Sequence, residues 1–480
     1  MRKIAKLFEN PSVYLMTLII VIFLSFSYWT YLYFTSEMGI HFDAVDYELS
    51  GRTVFEKGWL SYFIDGPQRE PFFIFTIAFS MKMEEVFSLN YQYFQKLIQV
   101  MLLFSTQLLL LYILDKLRVH NFIKILTVLY FGFSPAIVNA AFSLYSEIIA
   151  FPFVLLSVIL LGESWRRIYE RNARHCFNIA LVTASVLLLL ILGKGVFWPV
   201  TIFSLLPFLS IWLRSLWMRK WDVCKNAAIF MLTVILVVNG GIFVVKLMNR
   251  KYNGYFTYTG GKYNYLFMGS AIKRARPLTK EIILSHIASI PGTGVCEKIF
   301  SKEMCRYTEW FGSVDMTVIE RNIFLEAYPD EKKHKAMVEI AVVKIMEHPF
   351  QFSFFFVVEL FKLFFWESTR IGFVLYPDWL ERLFNNTLLR YGIRLVIATL
   401  TILGFSYLVH FCYRQRHKLY DAAKNYERER YAFLMFMFMA GFIGIYAACY
   451  VLTRYSLPIA SLFLLSIALM SDSLLKPQSR

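Results

Sequence analysis

Ten runs of about twenty apolar residues constrain the fold of this chain more than any other feature of its sequence. A helix of that length is what crosses the hydrocarbon core of a bilayer. With 58% hydrophobic and 18% charged residues, the chain also has more apolar surface than a soluble protein of its length buries. We therefore predict an all-α polytopic membrane protein with about ten transmembrane helices. The predicted spans are 12–34, 94–114, 122–141, 146–164, 177–193, 197–213, 226–247, 388–412, 431–450 and 456–472.

The basic residues are concentrated in short segments between these spans, and they indicate the orientation of the chain. Short positively charged loops mark the cytoplasmic side of a membrane, so we predict that both termini are cytoplasmic. The net charge of +16 is explained by these loop residues, so it does not indicate nucleic-acid binding. The segments then predicted to lie outside are 35–93, 142–145, 194–196, 248–387 and 451–455.

This topology divides the chain into three predicted domains. Residues 1–247 form an N-terminal transmembrane module, whose first outer loop is 35–93. Residues 248–387 form an outer domain, and residues 388–480 form a C-terminal transmembrane module. The half-apolar stretch 71–87 predicts a juxtamembrane helix. Within the outer domain, apolar residues recur over 331–347 at close to helical spacing, which predicts a helix there.

Residues 350–366 allow two interpretations. The stretch is apolar enough to form an eleventh span, but the basic segment around Arg414 would then lie outside, against the positive-inside rule. An amphipathic helix lying along the outer leaflet avoids that conflict, and we favour this interpretation.

Two cysteines, Cys296 and Cys305, lie in the predicted outer domain. An oxidising compartment favours a disulfide between them, although two free thiols are equally compatible with the sequence. Their spacing has no zinc-binding partner pair nearby, so it does not predict a metal site.

The first outer loop contains the most informative acidic residues. Asp43 and Asp46 lie three residues apart, so on a helix they share one face, together with Tyr47 and close to Gly51. Scattered acids are ordinary in polar loops. Carboxylates close to a bilayer, however, are costly to keep and suggest function. A carboxylate in this place could act as a general base towards an acceptor hydroxyl or amine.

Three cations lie at predicted outer positions. Arg69 precedes Pro71 and either marks a helix start or binds phosphate through its guanidinium group. Lys194 lies between two glycines and either snorkels to the interface or contacts a ligand. Arg454, followed by Tyr455, is either an interfacial anchor or part of a positive pocket for a lipid-linked phosphate. Glu147 begins a span, where an acid also stabilises the helix dipole.

These motifs resemble, in order, those of the GT-C membrane glycosyltransferases. The similarity is to the branch of bacterial aminoarabinose (lipid A) transferases and protein O-mannosyltransferase-like proteins. Here Ala44 follows the first acid, where that branch often has a second one, so both Asp43 and Asp46 stay candidates for the base. The resemblance rests on Asp43, Tyr47 and Gly51, on Arg69 and Pro71, on Glu147, on Lys194 and Gly195, on His348 and Pro349, and on Arg454, Tyr455 and Pro458.

The resemblance implies a GT-C-like bundle that moves a sugar from a polyprenyl-phosphate carrier to an envelope glycolipid, polysaccharide or protein, with inversion. Asp43 or Asp46 would deprotonate the acceptor, and Arg69, Lys194 and Arg454 would bind the leaving lipid phosphate. Tyr47, Glu147 and Tyr455 would support them. The implied location is the bacterial inner membrane, with the site facing the periplasm.

Two other functions remain open from the sequence. A flippase or transporter of lipid-linked sugars would have ionisable residues near the midplane of its spans, and these spans carry few. An envelope polysaccharide polymerase or ligase is the other. No cofactor is required by the sequence, although Asp43, Asp46 and Glu147 could converge on a divalent ion.

Overall fold

The computed structural model describes residues 2–64, 66, 69–170, 172–259, 262–275, 277–306, 308, 326, 330–370, 372–420, 426–449 and 451–475. These residues form helices and one antiparallel pair of short strands, Glu37–Met38 with Val374–Leu375. The α-helices are Arg2–Leu7, Pro11–Thr35, Asp43–Lys57, Ser61–Ile64, Pro71–Phe87, Tyr91–Lys116, Asn121–Phe133, Pro135–Phe142, Glu147–Ile168, Ala173–Gly193, Phe197–Trp217, Trp221–Asn253, Lys262–Arg274, Lys280–Ala288, Thr293–Ile299, Lys302–Arg306, Asp330–Glu347, Pro349–Lys362, Asp378–Asn385, Thr387–Gln415, Glu427–Ala448 and Ala460–Leu475. Two 3₁₀-helices complete the set, Arg416–Tyr420 and Thr453–Ile459.

Nine helices in the described part of the chain are long and apolar enough to cross a membrane. Each of them corresponds to one predicted span. The chain is therefore an integral membrane protein of the predicted all-α polytopic class. The last residue of the predicted span 431–450 lies outside the described residues.

The predicted span 122–141 is interrupted by a bend. It consists of Asn121–Phe133 and Pro135–Phe142, which meet at an angle of 44°. Pro135 lacks a backbone N–H, so it cannot continue the first helix, and it is well placed at the start of the second. Ser134 caps the second helix by accepting a hydrogen bond from the backbone N–H of Ile137, at 3.3 Å.

A distant carboxylate also holds this bend. Glu367 is fully buried and accepts hydrogen bonds from the Ser134 hydroxyl, at 2.6 Å, and from the backbone N–H of Ala136, at 2.8 Å. Satisfying the unpaired N–H groups at a helix start stabilises that helix. The bend therefore depends on a residue more than two hundred positions away in the chain.

The centre of the bundle is the helix Glu147–Ile168. It packs against Tyr91–Lys116, Ala173–Gly193 and the 3₁₀-helix Thr453–Ile459. Trp165 is fully buried on this helix and contacts the rings of Phe208 and Phe433. Because these three elements all pack on Glu147–Ile168, segments that are far apart in the sequence become neighbours around it.

The region predicted as an outer domain contains a second, small apolar core. The helices Lys262–Arg274 and Asp330–Glu347 pack together, the latter matching the helix predicted over 331–347. The structure places a disulfide between Cys296 and Cys305, whose Cα atoms are 5.8 Å apart. Residues 309–325 and 327–329 of this predicted domain lie outside the described residues. The buried side chains of the second core are Met268, Ala271, Ile272, Ala336, Met337 and Ala341.

The stretch 350–366 begins with the helix Pro349–Lys362. Its 14 residues extend about 21 Å, less than the thickness of the hydrocarbon core. It turns by 104° from the preceding helix. An interfacial position for this helix stays a prediction.

Candidate active site

The two predicted acids begin a helix that packs closely on the next one. Asp43–Lys57, here called the acidic helix, lies against Pro71–Phe87. Contact is closest at Gly51, where an added Cβ would lie 2.5 Å from Cγ2 of Ile77. Only glycine allows this approach without displacing the buried Ile77 side chain. The close packing fixes where the first turn of the acidic helix lies.

Arg69 joins both acids of the acidic helix. Its guanidinium group donates hydrogen bonds to Asp43, at 2.6 Å, and to Asp46, at 2.7 Å. The Arg69 side chain is 11% exposed, whereas that of Asp46 is 46% exposed. Tyr62 donates a hydrogen bond to the backbone carbonyl of Arg69, at 2.6 Å, which fixes the loop before Pro71.

Arg454 brings the C-terminal part of the chain to the same place. Its guanidinium group forms an ion pair with the second carboxylate oxygen of Asp43. The guanidinium carbon also lies 4.7 Å from the centroid of the Tyr145 ring and 5.8 Å from that of Tyr455, as in cation–π contacts. Asp43 is therefore held between two arginines that come from opposite ends of the sequence.

Lys194 and Glu147 form a buried ion pair beside these groups. The Lys194 ammonium donates to Glu147 at 2.9 Å, with the two side chains 11% and 6% exposed. The backbone N–H of Gly195 donates to Glu70 at 3.1 Å. Two carboxylates therefore hold the turn at Lys194, and the lysine side chain points at Glu147.

Tyr47 links the acidic helix to the central helix. Its hydroxyl is 2.9 Å from the Ser146 hydroxyl, and its buried ring packs edge-on against Phe73. The ring of Tyr455 packs against that of Tyr446, with the ring centroids 5.2 Å apart. These contacts place aromatic rings next to the cluster of charges.

The electrostatics keep the cluster charged and its tyrosine neutral. Burial opposes the charge of Arg69, but the negative charge of Asp43 and the hydrogen bonds with Asp46 and Asp43 favour it, and the pKa of Arg69 lies above its ordinary value. Burial raises the pKa of Tyr47 well above its usual range, and Glu70 adds to the shift. Tyr47 therefore stays a neutral phenol that can donate a hydrogen bond.

The acids do not form a metal site. Among the described residues, no group of three His, Cys, Asp or Glu side chains is placed to hold a metal ion. Asp43 and Asp46 direct carboxylate oxygens at arginines, and Glu147 directs one at Lys194. This donor set does not fit the divalent ion that the sequence left open.

The structure thus brings together all of the predicted site residues except the disulfide cysteines. Asp43, Asp46 and Arg69 are in direct contact with each other or with Arg454, and Tyr47, Glu147, Lys194 and Tyr455 surround them. Sequence reasoning assigned no role to Glu70, Tyr145 or Ser146. Glu70 lies between Arg69 and Pro71, and this position in the motif could have indicated that it belongs to the site.

No protein-family model and no curated protein matches the chain. Among solved structures, the chain is similar to the archaeal oligosaccharyltransferase AglB from Archaeoglobus fulgidus, in complex with an inhibitory peptide and a dolichol-phosphate. The two chains are 12% identical with a TM-score of 0.46, and the match covers 95% of this chain. It covers 50% of the AglB chain, so this chain spans about half the length of that protein. A likeness of this degree assigns no activity.

Proposed function

We propose that this protein is a membrane glycosyltransferase that takes its sugar from a polyprenyl-phosphate carrier on the non-cytoplasmic side of the membrane. The observation that carries the proposal is the position of Asp43 between Arg69 and Arg454. Two guanidinium groups that converge on one small anion form a seat that also suits a phosphate. A carboxylate beside that seat can serve as the base.

In the proposed reaction, the lipid phosphate binds Arg454 and Arg69 in place of Asp43. The acceptor oxygen forms a bond to the anomeric carbon as the bond from that carbon to the phosphate oxygen breaks. The electron pair of the broken bond stays on the phosphate, where the arginines stabilise the charge. The proton of the acceptor passes to a carboxylate of the acidic helix. Attack opposite to the leaving phosphate inverts the sugar carbon.

Asp43 and Asp46 are unequal candidates for the base. Both carboxylate oxygens of Asp43 pair with arginines. Asp43 therefore becomes a stronger base only when phosphate displaces it from those arginines. Asp46 uses one oxygen for Arg69 and is the more exposed of the two. We assign the proton to Asp43, because phosphate binding and base release are then one event, and we keep Asp46 as the alternative.

Lys194 has a different role in this proposal from the one that its sequence motif suggested. Because its ammonium is paired with Glu147 in a buried contact, moving it to a phosphate would leave Glu147 as an unpaired buried charge. We propose that the pair of Lys194 and Glu147 adjoins the phosphate-binding site and supports it without binding phosphate. The negative charge of Glu147 then favours the charged form of Arg454.

The test is transfer by the purified protein in liposomes. Radiolabelled polyprenyl-phosphate sugars are supplied one at a time with an envelope glycolipid extract, and release of free polyprenyl phosphate is measured. We expect release with at least one donor, and its loss in the Asp43→Asn variant. Transfer from a soluble nucleotide sugar, with no use of any lipid-linked donor, would contradict the proposal.

A further inference from the structure

The segment that leads to Arg454 is held by residues from the predicted outer domain. Residues 447–449 and 451–454, here called the approach segment, run from the last turn of the helix Glu427–Ala448 to Arg454, and residue 450 lies outside the described residues. Arg274, at the end of the helix Lys262–Arg274, donates hydrogen bonds to the carbonyls of Ala447 at 2.8 Å, Ala448 at 3.0 Å and Cys449 at 2.5 Å. One guanidinium group thus binds three consecutive carbonyls.

This contact has the character of a helix cap provided from outside the helix. The last carbonyls of a helix have no partner within it, and they carry the negative end of the helix dipole. Arg274 is 4% exposed and supplies both the donors and the positive charge. Ser270, one turn earlier on the same helix, also donates to the Cys449 carbonyl. The end of the helix Glu427–Ala448 is therefore fixed relative to Lys262–Arg274.

A second buried pair holds the next part of the approach segment. Glu359 accepts a hydrogen bond from the backbone N–H of Val451, at 3.1 Å, and another from Lys362, at 3.0 Å. Both side chains of this pair are nearly inaccessible, at 6% and 7% exposure. A buried carboxylate satisfied by one lysine and one backbone N–H has little freedom to move. Val451 lies three residues before Arg454.

Arg454 depends on this support, because its own side chain is only partly fixed. Its Nε is buried and has no hydrogen-bond partner among the described residues. The ion pair with Asp43 is the contact that donor phosphate would replace. Once that contact opens, the guanidinium group keeps its contacts with the rings of Tyr145 and Tyr455, and its position then depends more strongly on the backbone that carries it.

We infer that Arg274 and Glu359 are positioning residues for Arg454, so that the predicted outer domain sets the geometry of the donor phosphate seat. The inference rests on the proposed function as far as phosphate is concerned. The placement of Arg454 by these two residues stands on the contacts alone. A displacement of about 1 Å in such a group costs roughly a hundredfold in rate in well-organised sites.

Binding of polyprenyl phosphate to the full chain in detergent micelles provides the functional test. We expect Arg274→Gln to weaken binding about tenfold, as for residues coupled in one network. Arg274→Lys should recover part of the loss, because it keeps the charge. The matched control is Arg394→Gln. Arg394 also donates to carbonyls, of Pro291 at 2.7 Å and Glu367 at 3.2 Å, away from the approach segment, so its loss should leave binding unchanged.

Combination with Arg454→Gln separates positioning from general stabilisation. If Arg274 acts through Arg454, then Arg274→Gln should weaken binding little further once Arg454 is gone. Equal effects of Arg274→Gln in the two backgrounds would overturn the inference, since a residue that merely stabilises the fold would act in both.

Hydrogen exchange makes the failure of the inference distinguishable from the failure of the proposed function. Arg274→Gln and Glu359→Gln should speed exchange of the backbone amides of 451–456, and Arg394→Gln should not. Unchanged exchange in both variants would overturn the positioning role. If exchange is faster in the two variants but the wild-type protein binds no polyprenyl phosphate, the placement of Arg454 is supported and the proposed function is overturned.

Discussion

Arg454 and Asp43 lie 411 residues apart in the chain, yet their side chains form an ion pair. This pair joins the 3₁₀-helix Thr453–Ile459 to the acidic helix. The proposed donor seat is therefore assembled by the whole fold rather than by a local motif.

The shape of the Arg454 side chain should matter as well as its charge. We expect Arg454→Gln to lower kcat/KM for a lipid-linked donor by about a hundredfold or more, as when one donor to a developing oxyanion is removed. Arg454→Lys should retain only part of the activity, because lysine keeps the positive charge but lacks the two donors of the planar guanidinium group. Steady-state kinetics in liposomes measure both.

Arg428 offers the matched control for these variants. It pairs with Asp472 at 3.0 Å, near the last residues of the final helix. Arg428→Lys should change kcat/KM for the donor little. Equal losses for the lysine variants at both positions would show that Arg454 acts through stability rather than through phosphate.

Removing the charge of Asp43 should separate binding from turnover. Asp43→Asn removes the anion that competes with phosphate, so we expect tighter binding of polyprenyl phosphate. Turnover should fall by about a hundredfold to ten-thousandfold, the usual contribution of a general base. Asp46→Asn, on the same helix face, should weaken turnover less. Binding is measured by calorimetry in micelles and turnover by release of the lipid phosphate.

The opposite result would reassign the base. If Asp46→Asn abolishes transfer while Asp43→Asn keeps it, Asp46 is the proton acceptor and Asp43 serves only to hold the arginines apart. Weaker phosphate binding in Asp43→Asn would contradict the idea that Asp43 occupies the phosphate seat.

Hydropathy predicted the membrane spans well because lipid imposes one simple rule on every residue of a span. The bend at Ser134 and Pro135 was missed, although serine followed by proline is a common helix start and could have indicated it. Glu367, which holds that bend, was not readable, because its partners are more than two hundred residues away. Local patterns carry no information about such contacts.

The same limit applies to the site. Asp43, Asp46 and Arg69 are close in sequence, and their association could be expected. The pairing of Lys194 with Glu147 could not, because each residue alone has an ordinary explanation at a helix end. The roles of Arg274 and Glu359 depend on carbonyl and N–H groups of the approach segment, and backbone groups have no signature in the sequence.

Breaking the buried pair of Lys194 and Glu147 should destabilise the protein strongly. We expect Lys194→Met to cost about 3–5 kcal/mol, because it leaves an unpaired carboxylate in a buried place. The double variant Lys194→Met with Glu147→Gln should recover much of that loss. Thermal unfolding in detergent, followed by intrinsic fluorescence, measures the difference.

An exposed ion pair between a lysine and a glutamate provides the comparison. Lys82 and Glu85 are both more than half exposed, and Lys82→Met should change stability by less than about 1 kcal/mol. If the single and double variants at Lys194 unfold at the same temperature, the pair is accessible to water and Lys194 is available to bind phosphate directly.

Acid should destabilise the protein partly through His286. Burial lowers the pKa of His286 to about 3, and the nearby cations Lys362 and Lys273 add to the shift, against a smaller opposing effect of Glu359. Because the folded pKa lies below the unfolded value of about 6.5, the unfolded chain binds the extra proton between these values. Stability is therefore present above pH 6.5 and lost as the pH falls towards 3, by at most about 1.4 kcal/mol per pH unit for this group.

His286→Gln should remove this share of the acid sensitivity, because glutamine does not titrate. The melting temperature is measured by fluorescence at intervals from pH 7.5 to 4.5, and we expect a shallower decline on acidification in the variant than in the wild type. His410 lies exposed on the helix Thr387–Gln415, so His410→Gln should leave the wild-type slope in place. Parallel curves for His286→Gln and the wild type would mean that water reaches His286, and that the contact of its ring with Phe355 does not exclude solvent.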